Sequence, residues 1–176
     1  MDYNLLATTE QISLSQACSE LWMNLRAIGD PEPKVNRSRV RGVILARTSM
    51  NPVDAVHRLR AHMAEEPERY RYVYRVMPVQ AWTDTSVDSI VKKVESMRDV
   101  VEPGDSFRVT LEKRRTQLGS LEVIEPVAEA IDRKVELETP DWVVLIEIMG
   151  NETGVSIVRP LDTLNVQKER AASPSQ

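Results

Sequence analysis

Between Phe107 and Val158 the apolar residues change their period twice, and few folds accept that order. Along Phe107-Arg108-Val109-Thr110-Leu111-Glu112-Lys113, apolar and polar side chains alternate. Extended backbone then puts Phe107, Val109 and Leu111 on a core face and Arg108, Thr110 and Glu112 on a polar one. A helix starts at Ser120, and Leu121, Ile124, Val127, Ala128, Ile131 and Val135 recur at helical spacing. Trp142 to Ile148 and Val155 to Val158 return to strand, with Gly150 to Gly154 as the turn of a hairpin. Pro126 falls inside the helical stretch, where it removes a backbone donor. The regular helix is therefore expected to begin near Ile124 or to kink.

The first half of the chain repeats the alternation of element types. Tyr3 to Thr8 reads as a strand, and Ser13 with Gln16 as a capping box. Leu14, Ala17, Cys18, Leu21, Leu25 and Ile28 follow as a helical stripe that Asp30-Pro-Glu-Pro33 breaks. Arg39 to Arg47 reads as one strand, with Val43 and Leu45 on one face and Ile44 and Ala46 on the other. Asn51 as cap and Pro52 in the first turn open a helix with Val56, Leu59 and Met63 buried. Tyr72 to Ala81 is again a strand. Strand, helix, strand, helix, strand in this space predicts a split-βαβ, ferredoxin-like unit over residues 1–82. After a polar turn, Thr85 and Asp88 form a second capping signal before Val87, Ile90, Val91, Val94 and Met97, and Pro103-Gly104-Asp105 turns into the strand at Phe107. From Asn165 the sequence carries no periodicity, and residues 165–176 are expected to be a disordered tail.

Several chemistries are excluded by what the chain lacks. One cysteine and two histidines cannot assemble a thiolate zinc site, and His57 and His62, five apart on one helix, face different ways. No metal and no cofactor are expected. The six glycines form neither a Walker pattern nor a dinucleotide fingerprint. Glu122, Glu125 and Glu129 line one helix as a solvated face does. No nucleophile and base stand at recognisable spacing, so the chain is not expected to be an enzyme. No apolar run reaches the ~20 residues of a membrane span. The N-terminus does not read as a secretory signal, so a cytoplasmic location is expected.

Charge is segregated. The formal net charge is −4, but residues 34–75 hold ten Lys and Arg against four Asp and Glu, whereas residues 120–176 hold five against eleven. A local field is set within roughly 10 Å at physiological salt, so the patch matters more than the sum. Two groups of cations are candidate anion contacts. Lys113, Arg114 and Arg115 end the strand from Phe107, just before Gly119-Ser120 and a helix N-terminus. Lys34, Arg37, Arg39 and Arg41 precede Gly42, and in one extended strand Arg37, Arg39 and Arg41 share a face, a repulsive arrangement unless an anion meets it. Arg58, Arg60, Arg69 and Arg71 extend this group. Tyr70, Tyr72 and Tyr74 alternate onto one strand face, where they either pack under a helix or stack on bases.

The run Phe107-Arg-Val-Thr-Leu-Glu-Lys-Arg114, the helix segment Glu122-Val-Ile-Glu125 and the hairpin from Pro140-Asp-Trp-Val-Val-Leu-Ile-Glu147 to Gly154-Val-Ser-Ile-Val158 resemble a THUMP domain. They are most similar to the adaptor family that assists the acetyltransferase making acetylcytidine in tRNA. The resemblance implies an α+β architecture, with the N-terminal ferredoxin-like unit packed with a THUMP domain over residues 83–164. It also implies binding of the tRNA acceptor stem and single-stranded 3′ end, with tRNA presented to a separate acetyltransferase, and maps Arg108, Lys113 and Arg114 onto the RNA-contacting strand motif. Arg115, Lys34, Arg37, Arg39 and Arg41 join them on charge alone. No catalytic domain is expected after the THUMP segment. Two other readings of the residues stay open: a regulatory module that binds a small metabolite, and a protein-docking module without RNA affinity.

Overall fold

Two sheets, each covered by two helices, organise the computed structural model, which describes residues 1–172. Contacts divide the chain into one unit of Met1–Val79 together with the stretch starting at Leu161, and a second unit of Gln80–Pro160.

In the first unit the chain runs β1 (Leu5–Thr8), α1 (Leu14–Ala27), β2 (Lys34–Arg37), β3 (Val43–Arg47), α2 (Pro52–Glu65) and β4 (Arg75–Pro78). This is the expected ferredoxin-like order with one more strand than the sequence pattern gives. β1 lies antiparallel between β3 and β4, and β2 forms the outer edge beyond β3. Leu5 and Ala7 of β1 and Ile44 and Ala46 of β3 meet Leu21 and Leu25 of α1 and Val56 and Leu59 of α2 in one core. Asn51 caps α2 as its type and position require, accepting from Val53 N and Asp54 N. Ser13 makes no side-chain cap to α1, because Gln11–Ser13 is already a 3₁₀ turn and Ser13 has left extended geometry.

Arg39 to Arg47 is not a single strand. The Ser38 hydroxyl donates to the Val40 carbonyl and accepts from its N–H, and Gly42 turns the chain at φ +69°. A Cβ at Gly42 would stand 2.6 Å from the Thr9 carbonyl oxygen, so only glycine fits. Arg37 therefore ends β2, while Arg39 and Arg41 project from the turn. Their period-two spacing does not put the three on one strand face. Tyr72 to Ala81 also divides, into β4 and the next unit's first strand, so Tyr70, Tyr72 and Tyr74 lie outside any strand. Tyr70 is in the core, with its hydroxyl 2.9 Å from His62 Nδ1.

The expected disordered tail is ordered as far as Ala172. β10 (Leu164–Asn165) pairs with β4, and α5 (Val166–Ala172) follows. Leu164 and Val166 enter the core, and Asn165 Oδ1 accepts from Lys168 N, which caps α5. Residues 173–176 of that expected tail lie outside the described residues.

The second unit runs β5 (Ala81–Asp84), α3 (Val87–Met97), β6 (Ser106–Glu112), α4 (Ser120–Ile131), β7 (Lys134–Val135), β8 (Trp142–Met149) and β9 (Glu152–Val158). The sheet order is β5-β9-β8-β6-β7, mixed, with β6 parallel to β8 and β7 and the other pairs antiparallel. Phe107 of β6, Val144 and Ile146 of β8 and Val155 and Ile157 of β9 pack against Ile90 and Val94 of α3 and Val123 and Val127 of α4. The hairpin turn is shorter than expected, Gly150 and Asn151 alone, with Gly150 at φ +66°. α4 begins at Ser120 and runs through Pro126. Ser86, not Thr85, caps α3 by accepting from Ser89 N, since the Thr85 hydroxyl is engaged with that of Thr153.

Candidate nucleic-acid interface

The parallel register of β6 and β8, with β5 running the same way, decides what meets at one edge of the second sheet. β5, β6 and β8 all end there. α3 follows β5 and α4 follows β6, so both helices start at that edge and aim their positive ends at it. The Lys113–Gly119 loop and the Gly150–Asn151 turn complete it. Gly150 N donates to Arg114 O at 2.9 Å, and Thr85 N donates to Asn151 O at 3.0 Å, so backbone bonds hold the loop, the turn and the start of α3 together. Gly119 N donates to Glu122 Oε1 at 2.9 Å and fixes the first turn of α4.

The three cations after β6 separate into two roles. Lys113 and Arg115 are exposed. Lys113 Nζ touches the Leu118 carbonyl at 3.2 Å, and Arg115 takes a left-handed backbone, φ 54°, which throws it out of the strand line. Arg114 turns inward and pairs with Glu147 at 2.8 Å, the two side chains being 16% and 4% exposed. Glu147 sits on β8 opposite Glu112, on the sheet face away from α3 and α4. Arg114 thus neutralises a buried carboxylate and positions the loop.

Arg108 does not join this edge. It stands early in β6, roughly 16 Å of extended chain before Lys113, and its Nη1 donates to the Leu137 carbonyl at 3.1 Å. In the first unit, Lys34 and Arg37 lie exposed on β2, Arg39 and Arg41 at the turn. The extension of that group is largely occupied. Arg60 donates to Glu169 and to the carbonyls of Leu161 and Thr163, and Arg69 pairs with Glu66, while Arg58 and Arg71 stay exposed. His57 meets Asp162, and His62 bridges Tyr70 and Glu66. Burial, with Glu20 and Glu66 nearby, pushes the Tyr70 hydroxyl far up, so it stays protonated.

Sequence reasoning missed the α3 start, Asn151 and Gly150 as parts of the edge, because only the strand directions reveal their proximity. At the opposite end of the sheet, Trp142 donates its indole N–H to Asp105 at 2.9 Å under Arg159, which stacks 3.7 Å above the ring. The indole N–H, the Glu102 N–H and the cations Arg159 and Arg133 hold the Asp105 carboxyl below its ordinary value. Among the described residues no group of three or more His, Cys, Asp and Glu is placed to hold a metal, and no helix is long and apolar enough to cross a membrane.

Residues 84–158 match the THUMP domain family. The second unit carries a THUMP domain. THUMP domains bind RNA and occur in tRNA-modifying proteins. The chain is 31% identical over 90 residues to the uncharacterized protein MJ0421 of Methanocaldococcus jannaschii, an alignment that covers 48% of this chain and 25% of the relative. Among solved structures it resembles PH1313 from Pyrococcus horikoshii (TM-score 0.60, 20% identity, 89% of this chain, 55% of the other). It also resembles a predicted N6-adenine-specific DNA methylase from Listeria monocytogenes (0.57, 19%, 89% and 40%) and TrmN from Thermus thermophilus (0.51, 18%, 89% and 46%). At these identities the likeness is one of fold, and it extends over both units. The chain spans about a quarter of the curated relative's length and about half that of the solved structures.

Proposed function

We propose that this chain is a tRNA-binding protein without catalysis of its own, which presents the acceptor stem and single-stranded 3′ end to a separate acetyltransferase forming acetylcytidine. The observation that carries the RNA part is the THUMP edge, where two helix starts converge with the exposed Lys113 and Arg115. Backbone N–H groups and mobile cations at such an edge suit phosphates and a splayed 3′ strand, read by shape rather than base sequence. Arg39 and Arg41, exposed at the turn of the first unit, are a second candidate phosphate contact. The acetyltransferase part is supported by the motif resemblance of Phe107–Arg114 and Pro140–Val158 to the adaptor family.

The test compares binding of the purified chain to intact tRNA, tRNA lacking its 3′ single strand and a control hairpin, at two salt concentrations. Tighter binding to intact tRNA, weakened about tenfold by Lys113→Ala with Arg115→Ala and by raised salt, is the expected result. Equal binding of all three RNAs overturns the 3′-end reading. Adding candidate acetyltransferases to the bound tRNA then tests the adaptor role. Stimulation of cytidine acetylation supports it, and chemistry by the chain alone refutes it.

A further inference from the structure

Among the described residues no strand pairs with the outer side of β2, and a groove of mixed polarity runs beside it. β2 ends its sheet, with β3 as its neighbour. Ser38 N donates to Val43 O at 3.1 Å. Bonded pairs alternate along an antiparallel ladder, so Asn36 with Leu45 and Lys34 with Arg47 are the next bonded pairs. The N–H and C=O groups of Val35 and Arg37 consequently turn away from β3. The side chains of the same two residues face α1: Val35 packs on the core and the Arg37 guanidinium donates to Ser15 Oγ.

Between β2 and α1 lie two adjoining hollows of about 390 and 590 Å³, which share Cys18, Ser19 and Val35. Trp22 and Met23 wall the first and Arg37 closes the second. Small residues on α1 leave the space open, and Trp22 and Met23, adjacent in the helix, stand 43% and 52% exposed beside it. Three cations stand around the groove, Arg37 within it, Lys34 farther along β2 and Arg26 5.4 Å from the Trp22 ring, against one exposed carboxylate, Glu32, just before β2.

We propose that this edge accepts an extended acidic segment of another protein as an added strand. Its amides pair with Val35 and Arg37, its alternate apolar side chains enter the hollow at Cys18, Trp22 and Val35, and its carboxylates, turned to the opposite face, meet Lys34. A second copy of this chain does not supply the acidic strand, since β2 itself carries Lys34 and Arg37 and no carboxylate. RNA has no amide ladder to offer the strand edge. The inference stands on the geometry of β2 and does not require the tRNA reading.

The probe is a fluorescein-labelled, end-capped heptapeptide alternating Glu with Val and Leu, titrated with the full chain and followed by anisotropy. Saturable binding is expected, at least about tenfold weaker for Val35→Pro, for Trp22→Ala, for the counterpart with Lys in place of Glu, and for a peptide N-methylated at alternate amides. The tRNA affinity of Val35→Pro and Trp22→Ala should be unchanged. The N-methylated peptide keeps the test decisive if Val35→Pro fails to fold. Absence of saturation, equal binding of the Lys peptide, indifference to N-methylation, displacement of the peptide by tRNA, or a β2-dependent dimer in sedimentation would each overturn the proposal. Loss of tRNA binding by Lys113→Ala with Arg115→Ala, with peptide binding intact, separates this site from the RNA edge.

Discussion

Arg114 and its two neighbours show how far three like residues can diverge in what they do. Removing Arg114 takes an ion-pair partner from the Glu147 carboxylate, which is 3% exposed, so Arg114→Ala should cost about 2 kcal/mol or more and lower the thermal midpoint. Lys113→Ala and Arg115→Ala should leave the midpoint within about 1 °C and act on RNA affinity alone. Equal midpoints for all three variants would refute the division of roles. Composition located this cationic run, and alternation marked where the strand ends. The inward turn of Arg114 was not legible, because its partner is set by the parallel register of Glu112 with Glu147, a pairing between segments far apart in the chain. Asp30 was likewise read only as part of a helix-breaking sequence. Burial would raise its pKa, but bonds from Thr48 Oγ1, Ser49 N, Glu32 N and Ser49 Oγ outweigh that and hold it below its ordinary value. With the folded pKa depressed, Asp30 contributes stability at neutral pH, and that contribution is lost as pH falls through the folded value. Asp30→Asn should therefore be less stable than the parent at pH 7, with the gap closing below about pH 4 in parallel urea titrations. A pH-independent gap would mean that packing, not charge, is what the substitution removes.

Elements with strong periodicity were legible and short ones were not. α1, α2, α3 and α4 each carry enough apolar residues at helical spacing to declare themselves, and Asn51-Pro52 supplies a start signal that the structure uses. β2 was missed because its four residues, Lys34–Arg37, carry one apolar side chain, and because Arg37, Arg39 and Arg41 keep strand spacing across a turn. β10 and α5 were missed for a similar reason: Leu164 and Val166 are too few to form a pattern. What fixes that segment is mostly polar and distant. Arg60 on α2 makes three bonds to it, at 2.6 to 2.7 Å, and Arg170 donates to Tyr70 O at 2.7 Å. Arg60→Ala removes three bonds at once and should cost about 2 kcal/mol. Amide exchange should accelerate at Leu164–Asn165 and α5 before any change in α3 or α4. Uniform acceleration through both units would contradict a local latch.

For the whole molecule, the decisive fact is that the chain leaves its first unit at Val79 and re-enters it at Leu161. The THUMP unit is an insertion, and the first unit is incomplete without residues that follow it. A fragment of residues 80–160 keeps its own sheet and core, so it should fold by itself. A fragment of residues 1–79 loses Leu164 and Val166 from its core and the partners of Arg60, and should not. Circular dichroism and exchange on the two fragments check this, and a stable 1–79 fragment would refute it. The same fragments locate the RNA-binding charge. Net charge is −4, so attraction to RNA must come from local groups rather than the overall field. With about four to six phosphate contacts the full chain should show a log–log salt slope of roughly −3 to −5. If Lys113 and Arg115 act with Arg39 and Arg41 of the first unit, the 80–160 fragment should keep its preference for a free 3′ end but show a slope flatter by about two. An unchanged slope would confine the phosphate contacts to the THUMP edge, and a full-chain slope near zero would remove the electrostatic basis of binding altogether.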